Sequence, residues 1–192
     1  RYDGNSFVNP NRKMHRDNVP ALPVLQILES SRTEVWLHVG GYFGRFDPYT
    51  MRFKKAKLSL DGQYTDLSVA RLIAGKNGDV FLLLPGYKLL CFNRRINQFE
   101  DRFGLSALNN FHPLGVEYLV ASNQLLMAGE KGIGLFDLNT NGFYTPSHNP
   151  IANRLLRQAR NIDFIHNVGI ADHGRIWLIA REKAGVINTY LY

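Results

Sequence analysis

"EVWLHVGGYFGRFDPYTMRF" occupies residues 34–53. It holds an apolar run, a two-glycine break, a second apolar run, an Asp-Pro corner and a new aromatic start. Short apolar runs rich in Val, Trp, Phe and Tyr, bounded by Gly, Asp and Pro, read as strands. Gly40-Gly41 and "DPYT" (47–50) are tight-turn chemistry. The stretch therefore predicts three consecutive antiparallel strands joined by two short turns.

The same order recurs three times. "GDVFLLL" (78–84) leads to "PGYKLLCFNRRINQF" (85–99), "NQLLMAGE" (123–130) to "KGIGLFDLNTNGF" (131–143), and "GRIWLIA" (174–180) to "REKAGVINTYLY" (181–192). Trp36, Phe81, Leu126 and Trp177 correspond in the first run of each unit. The corners are Phe46-Asp47, Phe92-Asn93, Phe136-Asp137 and Ile187-Asn188, spaced 46, 44 and 51 residues apart, and Tyr2-Asp3 stands 44 residues before the first. A period of about 40–50 residues is that of a four-stranded propeller blade.

The expected fold is all-β, built of about four propeller blades of four antiparallel strands. It forms one segment over 1–192, with the end of a preceding blade at 1–8 and blades at about 22–58, 66–103, 115–146 and 161–192. Inner strands are expected at 22–30, 66–75, 115–122 and 161–172, and outer strands from Phe53, Phe99, Phe143 and Tyr190. Trp36 and Trp177 are expected to pack between adjacent blades. Both ends lie in the same phase of the repeat. That reads as an arc of a longer, about seven-bladed propeller, with a closed four-bladed ring as the alternative. Helix is expected only in the 144–160 connection, at "NRLLRQAR" (153–160).

Composition agrees. The chain has 192 residues, 45% hydrophobic and 12% aromatic, with 17 Gly, which is ordered β-rich composition. No apolar stretch approaches the roughly 20 residues of a membrane-spanning helix. A single Cys, Cys91, excludes an internal disulfide and reads as a buried inert thiol in a third strand. HExxH, GxSxG and P-loop patterns are absent. "GEKGIG" (129–134) matches the turn positions of other units, so its glycines serve the turn. The six His show no metal-ligand spacing, and no cofactor is expected.

The wording "ADHGRIWLIA" (171–180), "EVWLHVGGYFGRFDPYTMRF" (34–53), "KGIGLFDLNTNGF" (131–143) and "RYDGNSF" (1–7) resembles the regulator-propeller repeat. That repeat builds periplasmic sensor domains of hybrid two-component systems in Bacteroidetes-type bacteria. The resemblance covers the whole chain in short, degenerate motifs, with Phe81 and Leu126 replacing Trp in two units. It implies an extracytoplasmic ligand-sensing region of a sensor histidine kinase and response regulator, at the periplasmic face of the inner membrane. Such a region senses glycan fragments and controls transcription of polysaccharide-utilisation genes. The resemblance further implies that the segment is not an enzyme and reaches the membrane only through a span outside this chain. It touches no nucleic acid directly, and homodimerisation would run through the parent protein. A non-enzymatic propeller scaffold for protein or nucleic acid is the alternative function.

Residues that recur at each period serve the blade, and residues that break the period are free to serve a ligand. The period breakers are basic. Arg12, Lys13 and Arg16 lie in the first connection, and Arg154, Arg157 and Arg160 in the last. Tyr42, Tyr87, Lys88, Lys131, Arg181 and Lys183 lie at or near the turns between second and third strands. In a propeller, those turns and the connections between blades share one end of the blade. With a net charge of +7, a basic end carrying Tyr suits a polyanion or a sugar, since Arg forks onto carboxylate or sulfate and aromatic rings pack on sugar faces; the expected occupant is an anionic oligosaccharide, or else a docked partner subunit.

Overall fold

The computed structural model describes residues 19–59, 67–84, 88–101, 111, 113–171 and 175–192. Within these, strand is the predominant structure. The only α-helix among the described residues is α1 (Arg154–Gln158), followed by a 3₁₀ turn at Ala159–Asn161; a second 3₁₀ turn spans Lys76–Gly78. None of these helices is long and apolar enough to cross a membrane.

The strands fall into four sheets. β1 (Val24–Ser31), β2 (Glu34–Val39), β3 (Tyr42–Asp47) and β4 (Arg52–Lys55) pair in sequence order. β5 (Lys57–Leu58) leaves that order to join the second sheet. There β6 (Arg71–Ala74), β7 (Val80–Leu84), β8 (Lys88–Asn93) and β9 (Gln98–Glu100) follow one another, and β5 pairs parallel to β9. β10 (Pro113–Leu119), β11 (Gln124–Gly129), β12 (Gly132–Asp137) and β13 (Gly142–Tyr144) form the third sheet. β14 (Ile162–Ile170), β15 (Ile176–Glu182) and β16 (Ile187–Leu191) form the fourth. These meandering sheets are propeller blades. Two depart from the expected four antiparallel strands: the second carries the added parallel β5, and the fourth has three strands among the described residues.

The register explains the repeat. Phe46 pairs with Phe53, Phe92 with Phe99, and Phe136 with Phe143. One step outward, Asp47, Asn93 and Asp137 close the hairpins. The Asp47 carboxylate accepts from the Tyr49 and Thr50 amides at 2.8 and 3.2 Å, and Asp137 accepts from Asn139 and Thr140 at 2.8 and 3.1 Å. Asn93 accepts from the Arg95 amide at 3.1 Å. Four residues past each corner the backbone turns left-handed, at Met51, Asn97 and Asn141, with φ of 58°, 55° and 55°. Asn tolerates that region far better than Met.

The fourth unit departs from the expected alignment. Trp36 pairs with Arg45, Leu126 with Leu135, and Trp177 with Leu191. Tyr192, one residue past Leu191, is thus the counterpart of Phe46. Ile187-Asn188 opens the third strand instead of closing it, with Ile187 opposite Arg181, and Tyr190 belongs to that third strand and not to an outer one. The cause is hairpin length. β15 runs on to Glu182, and its turn spans residues 183–186, against two residues at Gly40-Gly41 and at Glu130-Lys131. The Glu182 carboxylate accepts from Asn188 and from the Tyr190 hydroxyl, which holds the longer hairpin shut.

The chain divides into two compact units, Arg1–Pro85 with Leu90–Asp101, and Gly86–Leu89 with Arg102–Tyr192. In the first unit, Trp36, Phe43, Leu72, Val80, Leu82, Leu90 and Phe99 form one buried cluster between the first two blades. The Trp36 ring meets Phe92 edge-on at 4.5 Å and Phe99 at 5.6 Å. The Gln26 amide both donates to and accepts from the Leu72 backbone at 2.8 Å, binding β1 to β6 as a strand would. In the second unit, Leu126, Ile133 and Leu135 of the third blade pack with Ile165, Val168, Leu178 and Ala180 of the fourth, sealed by Leu155, Leu156 and Ala159 of the helical connection.

A basic cleft at one end of the second unit

The cleft grows from four connections that the meander places side by side. The turn Glu130-Lys131 joins β11 to β12. Gly132 follows at φ +82°, pressed so close to the Ile162 carbonyl that an added Cβ would lie 2.8 Å from it. Residues 145–148 leave the third blade in a turn where Thr145 and His148 exchange backbone hydrogen bonds at 3.0 Å. Asn153 caps α1 by accepting from the Leu156 amide at 3.2 Å, and the helix buries Leu155 and Leu156. This fixes Arg160, exposed, at the start of the fourth blade. The Lys183 amide donates to the Asn161 carbonyl at 2.9 Å and brings in the long β15–β16 turn.

Together they enclose a cleft of about 860 Å³ whose lining includes Lys131, Arg160, Lys183, His148, Thr145 and Ser147. Its floor is Phe143 and Phe111, both buried and edge-to-face at 5.4 Å. Two carboxylates, Glu130 and Asp163, also line it. Asp163 accepts from the Arg181 Nε at 3.3 Å, so its charge is already partnered from outside the cleft. Three cations, Lys131, Arg160 and Lys183, thus line the cleft beside these two carboxylates. Ammonium and guanidinium groups donate only, hydroxyls do both, and carboxylates accept. An apolar floor with such a rim suits a polyhydroxylated anion of sugar size.

The structure thus brings together Lys131, Arg160 and Lys183 among the residues expected to hold a ligand. Arg154 and Arg157 are exposed on α1 and do not line the cleft. Arg181 is engaged by Asp163 and lies over the Phe164 ring at 5.2 Å. Tyr42 belongs to the first unit, with the Lys55 ammonium 3.9 Å above its ring. Lys88 opens β8, and its side chain lies outside the described residues, as do Arg12, Lys13, Arg16 and Tyr87. The sequence reading missed Thr145, Ser147 and His148. They also break the period, so the same criterion applied to "TPSH" would have found them.

The first unit holds a smaller cleft, about 440 Å³, near the corner of its first blade, lined in part by Arg45, Arg52, Lys54 and Tyr49. Its acids are committed to structure. Burial raises the Glu34 pKa, but hydrogen bonds from Arg94, Ser30 and Trp36 outweigh burial and lower it to about 2. Asp47 is lowered by its bonds to the Thr50 side chain and the turn amides.

Meandering sheets of this kind, packed in pairs within each unit, define a propeller-type fold. No protein-family model matches the chain, and no characterised protein matches it in sequence. Solved structures do match its fold. One is the extracellular domain of a protein described as a hybrid two-component system of B. thetaiotaomicron, with a TM-score of 0.51 and 19% identity over 89% of this chain. A second extracellular domain with the same description, from the same bacterium, has a TM-score of 0.57 and 10% identity over 88%. This chain spans 21% and 24% of those two chains.

Proposed function

We propose that the chain is part of the extracytoplasmic ligand-sensing propeller of a hybrid two-component sensor. It does no chemistry itself. It binds glycan fragments that carry carboxylate or sulfate, and binding is relayed through the parent protein to transcription of polysaccharide-utilisation genes. The likeness to two extracellular domains of such systems supports the sensor class. The observation that carries the ligand reading is the convergence of Lys131, Arg160 and Lys183 on one cleft with an apolar floor. These residues serve no repeated blade feature, and the cleft lies wholly within the second unit.

The test is transcriptional. A reporter fused to a polysaccharide-utilisation promoter in the host of this gene should respond to an acidic oligosaccharide with the wild-type sensor. It should lose that response with Lys131→Ala/Arg160→Ala/Lys183→Ala. An unchanged response in the triple variant would refute the assignment of the cleft.

A further inference from the structure

On the first blade's face toward the second, Trp36 is fully buried against Phe92 and Phe99. Trp177, its counterpart in the fourth sheet, was expected to be buried in the same way; it is only half-buried, because no described residues cover its face. Outward from Trp36 the first blade's face becomes basic. Arg45 of β3 lies opposite Trp36, Lys54 of β4 lies opposite Arg45, and Arg52 stands two residues before Lys54. Strand alternation puts all three on one face. Like charges directly opposite each other on a face destabilise a sheet. The pattern serves no repeated blade feature, since Cys91 and Leu135 hold the register of Arg45, and Glu100 and Tyr144 that of Lys54.

These cations line the smaller cleft, of about 440 Å³, together with Thr33 and Tyr49. Both of its carboxylates already serve the fold. Glu34 accepts from Arg94, Ser30 and Trp36, with Arg45 Nη1 3.7 Å away, and Asp47 accepts from the Tyr49 and Thr50 amides and the Thr50 hydroxyl. The cations keep donors to spare. Arg45 donates from Nη2 to Asn97 at 3.1 Å, but its Nε is buried with no hydrogen-bond partner among the described residues. Arg52 and Lys54 are exposed, and their side chains form no hydrogen bond or salt bridge among the described residues; Arg52 feels the Asp47 charge across the hairpin. Tyr49 is 88% exposed at the corner between β3 and β4, where its amide bond to Asp47 fixes the turn. Arg95 and Asn139 take its place in the next two corners, so it too breaks the period.

We propose that this cleft is a second binding site, which takes a sulfate or phosphate monoester carried on a single ring. Arg52, Lys54 and Arg45 donate to the oxyanion, and the ring lies against Tyr49. A tetrahedral oxyanion directs its oxygens to several sides, whereas a carboxylate directs two within one plane. Cations on two strands, with Cβ atoms about 5 Å apart across the pair and about 7 Å apart along β4, suit the tetrahedral group. The volume lies at the small end of ligand sites, which run from roughly 300 to 1,000 Å³, and so fits one ring and not a chain of them. The Tyr49 face supplies the apolar contact that the ring needs. The site lies wholly within the first unit and does not depend on the reading of the larger cleft.

Titration calorimetry on the 192-residue chain tests it, with phenyl sulfate, phenyl phosphate, benzoate and inorganic sulfate as probes. The background is Lys131→Ala/Arg160→Ala/Lys183→Ala, which removes the cations of the larger cleft. At least one of the two esters should bind there with a saturable isotherm, and the tighter one identifies the source of the oxyanion as sulfate or phosphate. Adding Arg52→Gln/Lys54→Gln should weaken that binding at least about tenfold, through the loss of charge-assisted hydrogen bonds. Tyr49→Ser should weaken the ester about threefold and leave inorganic sulfate unchanged. Silent titrations of both esters in this background would overturn the proposal, as would ester binding indifferent to Arg52→Gln/Lys54→Gln. Benzoate bound as tightly as the esters would overturn the choice of a tetrahedral oxyanion.

Discussion

Arg94, 60 positions along the chain in the next blade, grips the Glu34 carboxylate by donating from its two terminal guanidinium nitrogens, Nη1 and Nη2, at 2.8 and 2.7 Å. The same carboxylate accepts from Ser30 at 2.8 Å and from the Trp36 indole at 3.1 Å, while Arg94 also donates to the Gly78 carbonyl at 2.6 Å. The network anchors the rim of the first inter-blade interface. Arg94→Met leaves the Glu34 charge, 16% exposed, without its main partner, and should cost about 1–3 kcal/mol in chemical denaturation. Replacing both partners, by Glu34→Gln with Arg94→Met, should cost less than the two single changes together, as a double-mutant cycle would show.

Two titrations should mark the acid side of the stability profile. Glu34 binds its proton more weakly when folded, near 2 against 4.5, so its contribution is complete above pH 4.5 and is lost as the pH falls from there toward 2. His38 is buried beside Phe43, with rings 4.4 Å apart, and burial lowers its pKa below 6.5. The unfolded chain then takes up the proton first, so stability falls as the pH drops below about 6.5. Urea midpoints measured from pH 8 to pH 3 should decline in both windows, and Glu34→Gln should reduce only the lower decline, the rest of which belongs to Asp47, Asp137 and Glu182, whose pKa values are also lowered.

Met51 holds a left-handed conformation where the other two corners place Asn97 and Asn141. Met51→Asn should therefore raise stability, by about 0.5–1 kcal/mol, read as a higher melting temperature. A lower melting temperature would show that the Met side chain contributes more packing than its backbone strain costs.

Core substitutions should divide by blade. Trp36→Ala should cost about 3–5 kcal/mol, because the ring is fully enclosed by aromatic partners. Trp177→Ala should cost clearly less in the 192-residue chain. Gly134→Ala should be costly despite its size, since the new methyl would meet the Phe143 ring at 2.5 Å; Gly44→Ala meets Phe53 at 2.8 Å in the first blade. Thermal melts of these four variants check the order.

Much of this fold was legible because the period fixes equivalences. Trp36 and Leu126 do occupy one register position, and Asp47, Asn93 and Asp137 do close three equivalent hairpins. The fourth unit misled the reading because a longer turn shifted the strand under a fixed spacing, and an Asn five residues early took the place of a corner. The clamps from Glu34 to Arg94 and from Gln26 to Leu72 were not legible. They join residues 60 and 46 positions apart, and neither residue type repeats at its register. The cleft was half legible. Its cations stand out as period breakers, but Phe111 and Phe143 look like ordinary core, and only the stacking of four connections shows that they floor a site.

The proposed binding of acidic oligosaccharides in the cleft of Lys131, Arg160 and Lys183 can be measured by titration calorimetry on the 192-residue chain. Uronate-containing and sulfated fragments should release or absorb heat with a saturable isotherm. Their affinity should fall about 5–10-fold between low and moderate salt, because the contacts are exposed charges screened over about 10 Å at 0.1 M. Arg160→Ala should weaken binding without lowering the melting temperature, since Arg160 is exposed. Saturable binding of neutral fragments, with silent titrations of every acidic one, would contradict the account.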